Sequence, residues 1–245
     1  MSATPGAPAS LGTSKPACYK TREMGPPTAL PAQWSVAAPP APAPLLYRIL
    51  RGPVRAALER WFELRVDGLE HLPARGPYII AANHHNYLDG VVLAVTAPGP
   101  VAFLVMPRVW RATPLHPLFH RHIGSIPLTL ARPDVGALRR ALQALRAGAV
   151  VGIFPEGPFS VSGRLEQGLP GVALLALRSG VPVVPAGIRG TYEALVNRRL
   201  YVPRRRPLGV TFGRPRVFAS EDGQRRTART AVTKRIMDDI AALLP

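Results

Sequence analysis

Apolar residues follow two different spacings along this chain, and each spacing predicts a different element. Short continuous apolar runs predict buried strands, whereas apolar residues three and four positions apart predict helices that pack along one side. The predicted buried strands cover residues 78–82, 150–154 and 181–188, and a later strand is predicted over residues 210–217. Pro182 and Pro185 predict that the third of these strands is distorted or lies at a sheet edge.

Capping residues mark the boundaries of the predicted helices. Asp134 is a suitable N-cap and Gly148 a suitable end for one helix, and Gly180 closes another that begins at Gly171. A last amphipathic helix is predicted over residues 224–244. Strands that alternate with helices predict an α/β fold with a mainly parallel central sheet flanked by helices.

The composition of the sequence changes near residue 44. Residues 1–44 are rich in Pro, Ala, Gly, Ser and Thr and lack an apolar period, which predicts a mobile tail without a secretory signal or an anchor. Residues 45–245 are predicted to form one α/β domain with its own core. Cys18 is the only cysteine, which excludes an intramolecular disulfide and a cysteine metal site.

An amphipathic helix is predicted at the start of the domain, over residues 45–64. Apolar residues alternate there with arginines, a pattern that suits a helix lying on an anionic membrane surface, interrupted or kinked near Gly52 and Pro53. The same apolar stripe would also suit a helix that packs on the domain's own core, and both interpretations remain open. Prolines interrupt the longest apolar stretch, residues 91–105, so we expect no spanning helix and a cytoplasmic protein that associates peripherally with the membrane.

The formal net charge is +17 and is carried almost wholly by arginine. Such an excess predicts an anionic partner, either lipid head groups or nucleic acid, unless it reflects only a solvated surface. We favour lipid and expect no nucleic acid, because the sequence has no zinc-finger spacing and no aromatics interleaved with its arginines.

Candidate chemistry follows the predicted strand at residues 78–82. His84 comes two residues after the strand, and Asp89 is the only carboxylate between Glu70 and Asp134. A carboxylate that accepts from one imidazole nitrogen fixes the tautomer and leaves the other nitrogen to act as a base. Residues five apart on one helix diverge by about 140°, so His84 and Asp89 can meet only across a turn. The other interpretation is that they merely cap a helix.

Four blocks of sequence resemble, in order, the motifs of the phospholipid and glycerol acyltransferase family. The resemblance spans roughly residues 66–191. It consists of Asn83-His84 through Asp89, Gly124-Ser125-Ile126-Pro127, Phe154-Pro155-Glu156-Gly157, and residues 181–191 with Pro185 among them.

This resemblance implies transfer of a fatty acyl group from coenzyme A or acyl carrier protein, as a co-substrate, to the hydroxyl of a lysophospholipid or another glycerol-type lipid alcohol. His84 would be the general base, oriented by Asp89. The resemblance implies no metal and no other cofactor. It also implies a set of substrate-binding residues: Asn83, Gly124, Ile126, Glu156, Gly157 and Pro185. The alternative is a lipid-binding protein of the same fold that is catalytically weak or inactive.

The third block departs from the family pattern, in which an arginine holds the acceptor's phosphate. Phe159 stands at that position, and Leu130 replaces an arginine that is common after the second block. An aromatic ring cannot bind phosphate as a guanidinium does. We therefore hypothesise an acceptor other than lysophosphatidic acid, unless Arg132 or Arg164 supplies the missing charge.

Two further features have more than one interpretation. Glu156 is expected either to accept from loop amides, a partner arginine or the acceptor's hydroxyls, or to be a first-turn carboxylate of a helix. His116, His120 and His122 resemble a metal-binding spacing, but prolines disturb the segment and no paired carboxylate lies nearby, so we expect no metal there.

Overall fold

The computed structural model describes residues 43–111, 114, 116–129, 134–195, 203–219 and 226–245, and the backbone of Lys20–Glu23. The predicted tail therefore lies largely outside the described residues, as do Leu130, Arg132 and residues 196–202. Within the tail, Lys20–Glu23 departs from the prediction because it forms a strand.

The described strands form a nine-stranded sheet. They are β1 (Lys20–Glu23), β2 (Arg65–Asp67), β3 (Tyr78–Ala82), β4 (Val101–Val105), β5 (Ile126–Pro127), β6 (Val150–Ile153), β7 (Val183–Arg189), β8 (Gly209–Phe212) and β9 (Arg216–Ala219). The order along the sheet is β1-β9-β7-β3-β6-β4-β5, with β2 and β8 paired beside β7. The run from β7 to β5 is parallel, whereas β8 and β9 pair with β7 in the antiparallel sense and β1 pairs antiparallel with β9. The predicted mainly parallel α/β fold is confirmed.

Helices cover both faces of the sheet. They are α1 (Leu45–Phe62), α2 (Tyr87–Thr96), α3 (Pro107–Trp110), α4 (His116–His122), α5 (Val135–Arg146), α6 (Gly171–Ser179), α7 (Thr191–Ala194) and α8 (Arg226–Ala241). Alternate residues of β3 separate two cores. Ile80 packs with residues of α1 and α2 on one face, and Ile79 packs with residues of α5, α6 and α8 on the other.

The prolines predicted that residues 181–188 are distorted or lie at a sheet edge; the edge position is wrong, because β7 lies inside the sheet. Its backbone pairs with β3 on one side and with β8 and β9 on the other. The carbonyl of Pro185 accepts from the amide of Gly213 at 2.8 Å. An N–H and a C=O of one strand residue point to the same side, so the nitrogen of Pro185 faces the interval between β8 and β9.

This interval also corrects the single strand predicted over residues 210–217. The chain runs along β7 as β8, leaves the ladder at residues 213–215, and rejoins it as β9. Phe212 pairs with Ala186 and Arg216 with Val183, so three residues stand opposite two. The ladder is broken where Pro185 offers no donor.

Helix α1 runs through Pro53 as one helix, so the interruption that was predicted near Gly52 and Pro53, as the alternative to a kink, is wrong. Leu58 is buried against the core, whereas Leu45, Ile49 and Trp61 are exposed. The helix thus packs on its own domain along one side and presents apolar side chains to the surroundings on another. None of the helices in the described residues combines the length and apolar character that crossing a bilayer requires.

Candidate active site

His84 lies at the end of the sheet where the parallel strands β3, β6 and β4 all terminate. The chain leaves β3 at Ala82, turns through Asn83 to Asn86, and enters α2 at Tyr87. Asn86 is the N-cap, because its side chain accepts from the amide of Leu88 at 2.9 Å. The turn predicted between His84 and Asp89 is therefore present: the histidine precedes the cap and the aspartate lies in the first helical turn.

The two side chains meet directly. His84 Nδ1 lies 3.0 Å from Asp89 Oδ2, and the carboxylate is fully buried. The same oxygen accepts from the amides of His85 at 2.6 Å and Asn86 at 2.7 Å. A carboxylate at this distance accepts a hydrogen bond from Nδ1–H, so the lone pair of the neutral imidazole resides on Nε2. Asp89 both orients His84 and caps α2, and the catalytic and capping interpretations are compatible.

Aromatic rings enclose His84. Phe154 stacks on the imidazole with ring centroids 3.7 Å apart and planes inclined by 7°. Phe159 contacts its edge with a centroid distance of 4.5 Å, and also packs against Tyr87. The side chain of His84 remains 12% exposed, so the ring is held tightly yet can be reached from outside. Position 159 packs on the candidate base and presents no charge to a phosphate.

Glu156 fixes the loop that carries these rings. Its Oε1 accepts from the amide of His84 at 2.7 Å and its Oε2 from the amide of Glu166 at 2.8 Å. Burial raises the pKa of Glu156 to about 7, although both amide bonds favour the ionised form. The residue lies in a turn and not in the first turn of a helix, so the prediction that it accepts from loop amides is confirmed.

The main chain of His84 is held from its other side as well. Its carbonyl accepts from the amide of Ser160 at 2.8 Å, while its amide donates to Glu156. Two segments separated by about seventy residues are therefore joined at one backbone unit. The position of the imidazole depends on the loop at residues 154–160 as much as on β3.

A buried polar network ties the turn to the end of β7. The amide group of Asn83 donates to the carbonyl of Ile188 at 2.9 Å and accepts from its N–H at 2.7 Å. His85 Nδ1 lies 3.2 Å from Thr191 Oγ1, and Asn86 donates to the carbonyl of Thr191 at 2.6 Å. The side chain of Asn83, a residue predicted to bind substrate, is fully buried and bonded to the main chain of β7.

The remaining predicted binding residues do not surround His84. Ile126 is buried in the core beneath the sheet, and Pro185 is buried inside β7. Gly124 is exposed in the turn before β5 with φ 73° and no neighbouring atom where a side chain would begin. Gly157 lies beside Glu156 with φ 80°, where a Cβ would lie 2.7 Å from Leu169.

Only one of the two residues suggested as replacement phosphate ligands belongs to the described part of the chain. Arg132 lies outside the described residues. Arg164 has an exposed side chain and joins the loop through its backbone, whose carbonyl accepts from Ser160 Oγ at 2.7 Å. Within the described part of the chain, no group of three His, Cys, Asp or Glu side chains is arranged to hold a metal ion.

An imidazole oriented by a buried carboxylate, at the carboxyl end of a parallel sheet, is the arrangement of a general base. Comparison with known proteins specifies the class. The sequence profile of the acyltransferase family matches residues 63–189, more than half of the chain, and includes His84, Asp89 and Glu156. The chain belongs to the acyltransferase family.

Individual relatives agree with this assignment. The chain is 30% identical over 139 residues to the chloroplastic 1-acyl-sn-glycerol-3-phosphate acyltransferase LPAT1 of Arabidopsis thaliana, covering 54% of this chain and 37% of the relative. It is 24% identical over 149 residues to the 1-acyl-sn-glycerol-3-phosphate acyltransferase of Bacillus subtilis, covering 59% and 72%. The crystal structure of the 1-acyl-sn-glycerophosphate (LPA) acyltransferase of Thermotoga maritima superposes with a TM-score of 0.61 at 23% identity, covering 79% of each chain. The matched region is thus little more than a third of the plant enzyme, and the crystal structure shows the fold that this chain shares.

Proposed function

We propose that this protein transfers a fatty acyl group from a thioester to the hydroxyl of a lysophospholipid or related glycerol-type acceptor. The observation that carries the proposal is the 3.0 Å contact between His84 Nδ1 and Asp89 Oδ2 inside the family's domain. Family membership supports the acyl chemistry. An oriented imidazole supports removal of a proton from an alcohol.

The reaction needs no intermediate bound to the protein. The acceptor's hydroxyl oxygen attacks the thioester carbonyl while Nε2 of His84 takes the hydroxyl proton. The carbon–sulfur bond then breaks, and the imidazolium returns the proton to the departing thiolate. Asp89 stabilises the imidazolium through Nδ1–H, as carboxylates do beside catalytic histidines. Phe154 and Phe159 reduce the number of imidazole orientations and keep water from the ring.

Lysophosphatidic acid is the first acceptor to test, because the named relatives are 1-acyl-sn-glycerol-3-phosphate acyltransferases. Phe159 favours an alternative acceptor, since it occupies the family's arginine position and packs on His84 instead. Both acceptors use the same proton transfer and differ only in how the head group is held.

The test is radiolabelled acyl transfer by the purified chain. Acyl coenzyme A and acyl carrier protein serve as donors, each with lysophosphatidic acid, other lysophospholipids and monoacylglycerol. We expect saturable transfer to at least one acceptor from at least one donor. Tight, saturable use of lysophosphatidic acid would refute the hypothesis drawn from Phe159. Binding of lipid without transfer from either donor would replace the proposal with the alternative of an inactive lipid-binding protein.

The protein also presents a surface suited to a lipid bilayer, which we call the apolar patch. It consists of Leu45 and Ile49 on α1 and Leu118 and Phe119 on α4, all exposed. The amide of Leu46 donates to His122 Nε2 at 3.2 Å, which places the start of α1 beside α4. Leu118 lies one turn before His122 and therefore on the same side of α4.

The charge around the apolar patch supports an anionic membrane as its partner. Arg48 and Arg60 are exposed on α1, and the chain carries a net charge of +17. Apolar side chains bordered by arginines are the pattern of a helix that lies in the interface of anionic lipids. A membrane contact here would bring the protein to the surface where lipid acceptors reside.

Charging the apolar patch is expected to weaken membrane binding. Ile49→Glu combined with Leu118→Glu should reduce cosedimentation with vesicles of phosphatidylcholine and phosphatidylglycerol by about tenfold or more, because two buried apolar contacts are lost. Val135→Glu is the matched control, since Val135 is an exposed apolar residue of α5 on the opposite face of the sheet. Equal binding of both variants and the wild type would show that another surface contacts the membrane.

A further inference from the structure

A groove beside the candidate active site carries a concentration of positive charge, and we call it the basic groove. Its lining includes two arginines, two hydroxyl groups and an apolar wall: Arg111, Arg121, Ser125, Thr129, Trp110 and Leu128. None of these residues takes part in the chemistry at His84. Arginines next to hydroxyl donors form a surface that binds phosphate oxygens.

The walls of the basic groove are held in place by interactions beneath them. Trp110 stacks on His120 with ring centroids 5.3 Å apart and planes inclined by 16°. His120 is buried and its Nδ1 lies 3.1 Å from Ser125 Oγ. The amide of Leu128 donates to the carbonyl of Val105 at 2.8 Å, which joins the wall to β4. The groove is therefore a formed feature of the fold.

Charges next to the basic groove add to its preference for anions. Arg140 donates to the carbonyl of Pro127 at 2.6 Å, which brings a third guanidinium to the border of the groove. The carboxylate of Asp134 accepts from the amides of Thr129 and Ala137 as the N-cap of α5. Its charge is directed to those amides.

The basic groove lies at the same sheet edge as His84 but at a distance from it. The groove is built where the parallel strands β4 and β5 end, and His84 follows β3, with β6 between β3 and β4. Neighbouring strands are about 4.8 Å apart, so β4 lies roughly 10 Å from β3 and β5 lies farther still. A group bound in the groove must therefore belong to a part of the substrate remote from the reacting atoms.

We propose that the basic groove binds the phosphate of the phosphopantetheine arm of the thioester donor. The phosphate of a glycerol phosphate is only a few bonds from the hydroxyl that is acylated, so it is expected to lie nearer to His84 than the groove does. The phosphate of a phosphopantetheine thioester lies at the far end of a long arm from its sulfur. Trp110 and Leu128 offer apolar contacts along that arm. Coenzyme A and acyl carrier protein share this arm, so the groove serves either donor.

The assignment rests on the proposed acyl transfer but is tested by binding alone. Calorimetric titration of the full chain would compare 4′-phosphopantetheine with pantetheine, which lacks only the phosphate, at one fixed low ionic strength. We expect the phosphorylated compound to bind at least tenfold more tightly. In the double variant Arg111→Gln, Arg121→Gln this difference should disappear while the affinity for pantetheine is kept. Arg108→Gln is the control, because Arg108 is an exposed arginine of α3 outside the groove lining.

Two further probes separate the possible results. Glycerol 3-phosphate and inorganic phosphate should not displace 4′-phosphopantetheine at concentrations near its dissociation constant. Displacement by glycerol 3-phosphate would assign the groove to the acceptor and overturn the proposal, as would equal affinities for pantetheine and its phosphate. If binding follows the expected pattern but the protein transfers no acyl group, the assignment of the groove to the phosphopantetheine phosphate stands and the proposed function is rejected.

Discussion

Replacing His84 by alanine is expected to lower kcat for acyl transfer by about 1,000-fold, within the usual range for loss of a general base. The acceptor's hydroxyl then has no side chain to take its proton, while the loop held by the backbone of His84 stays in place. The rate should be measured at saturating donor and acceptor, together with a thermal melt that shows the variant is folded.

Asp89→Asn tests the orientation of the same base. The asparagine keeps an oxygen for the two backbone amides, and that oxygen also faces His84 Nδ1, but it carries no negative charge to stabilise the imidazolium that forms when Nε2 takes up a proton. We expect a loss of about 100-fold or more in kcat. His71→Ala is the control, because His71 contacts the carbonyl of Phe212 outside the site. Full activity in His84→Ala would show that the base lies elsewhere.

Removing the carboxyl group of Glu156 is expected to destabilise the fold by about 2–4 kcal/mol, since two partly buried amides would each lose an acceptor. The variant is Glu156→Ala, and the free energy of unfolding is measured in urea at pH 7. Glu166→Ala is the matched control, because that side chain is exposed and accepts from one exposed amide at 3.2 Å. Its effect should stay within about 0.5 kcal/mol. Similar losses of unfolding free energy in Glu156→Ala and Glu166→Ala would show that the carboxyl group of Glu156 does not stabilise the loop.

The titration of Glu156 gives this residue a second signature. Burial raises its pKa in the folded protein to about 7 from the ordinary value of 4.5. Between those pH values the folded chain holds a proton that the unfolded chain has released, so stability falls as pH rises from 4.5 to 7. The full decrease is about 3 kcal/mol. In Glu156→Gln, whose side chain does not titrate, the free energy of unfolding should not show this decrease between pH 4.5 and 7. A wild type and variant with parallel pH profiles would contradict the raised pKa.

The sequence predicted the elements whose residues repeat a local pattern. Asp134 caps α5 by accepting from Ala137, and Gly180 ends α6 in the left-handed conformation, as expected from capping residues alone. The position of β7 inside the sheet was not predicted. A proline disfavours a central strand only where its missing N–H would face a paired strand, and the sequence does not show which way it faces. Pro185 is tolerated inside the sheet since β8 and β9 part opposite it. That separation is a property of residues 213–215 and of their register.

The candidate site was likewise predictable only where its residues lie close together in the sequence. His84 and Asp89 stand close in the sequence, so their pairing across a turn followed from spacing, and the structure brings them to 3.0 Å. The bonds of Asn83 to Ile188 were not predicted, because the two residues are 105 positions apart. The stacking of Phe154 on His84 was missed for a similar reason, since a block of sequence gives no indication of which of its side chains turns inward. Contacts between distant segments depend on the sheet order, which no local pattern specifies.

Asp89 has two roles in the structure, and this affects how related sequences should be compared. One carboxylate oxygen holds His84 and also accepts from the first amides of α2. A duplicate gene that lost its enzymatic role would still need this aspartate to begin the helix, whereas nothing in the capping pattern requires the imidazole of His84. Retention of the aspartate therefore says little about turnover. Under the proposed function, the histidine is therefore the better marker, across a set of related sequences, of chains that keep the chemistry.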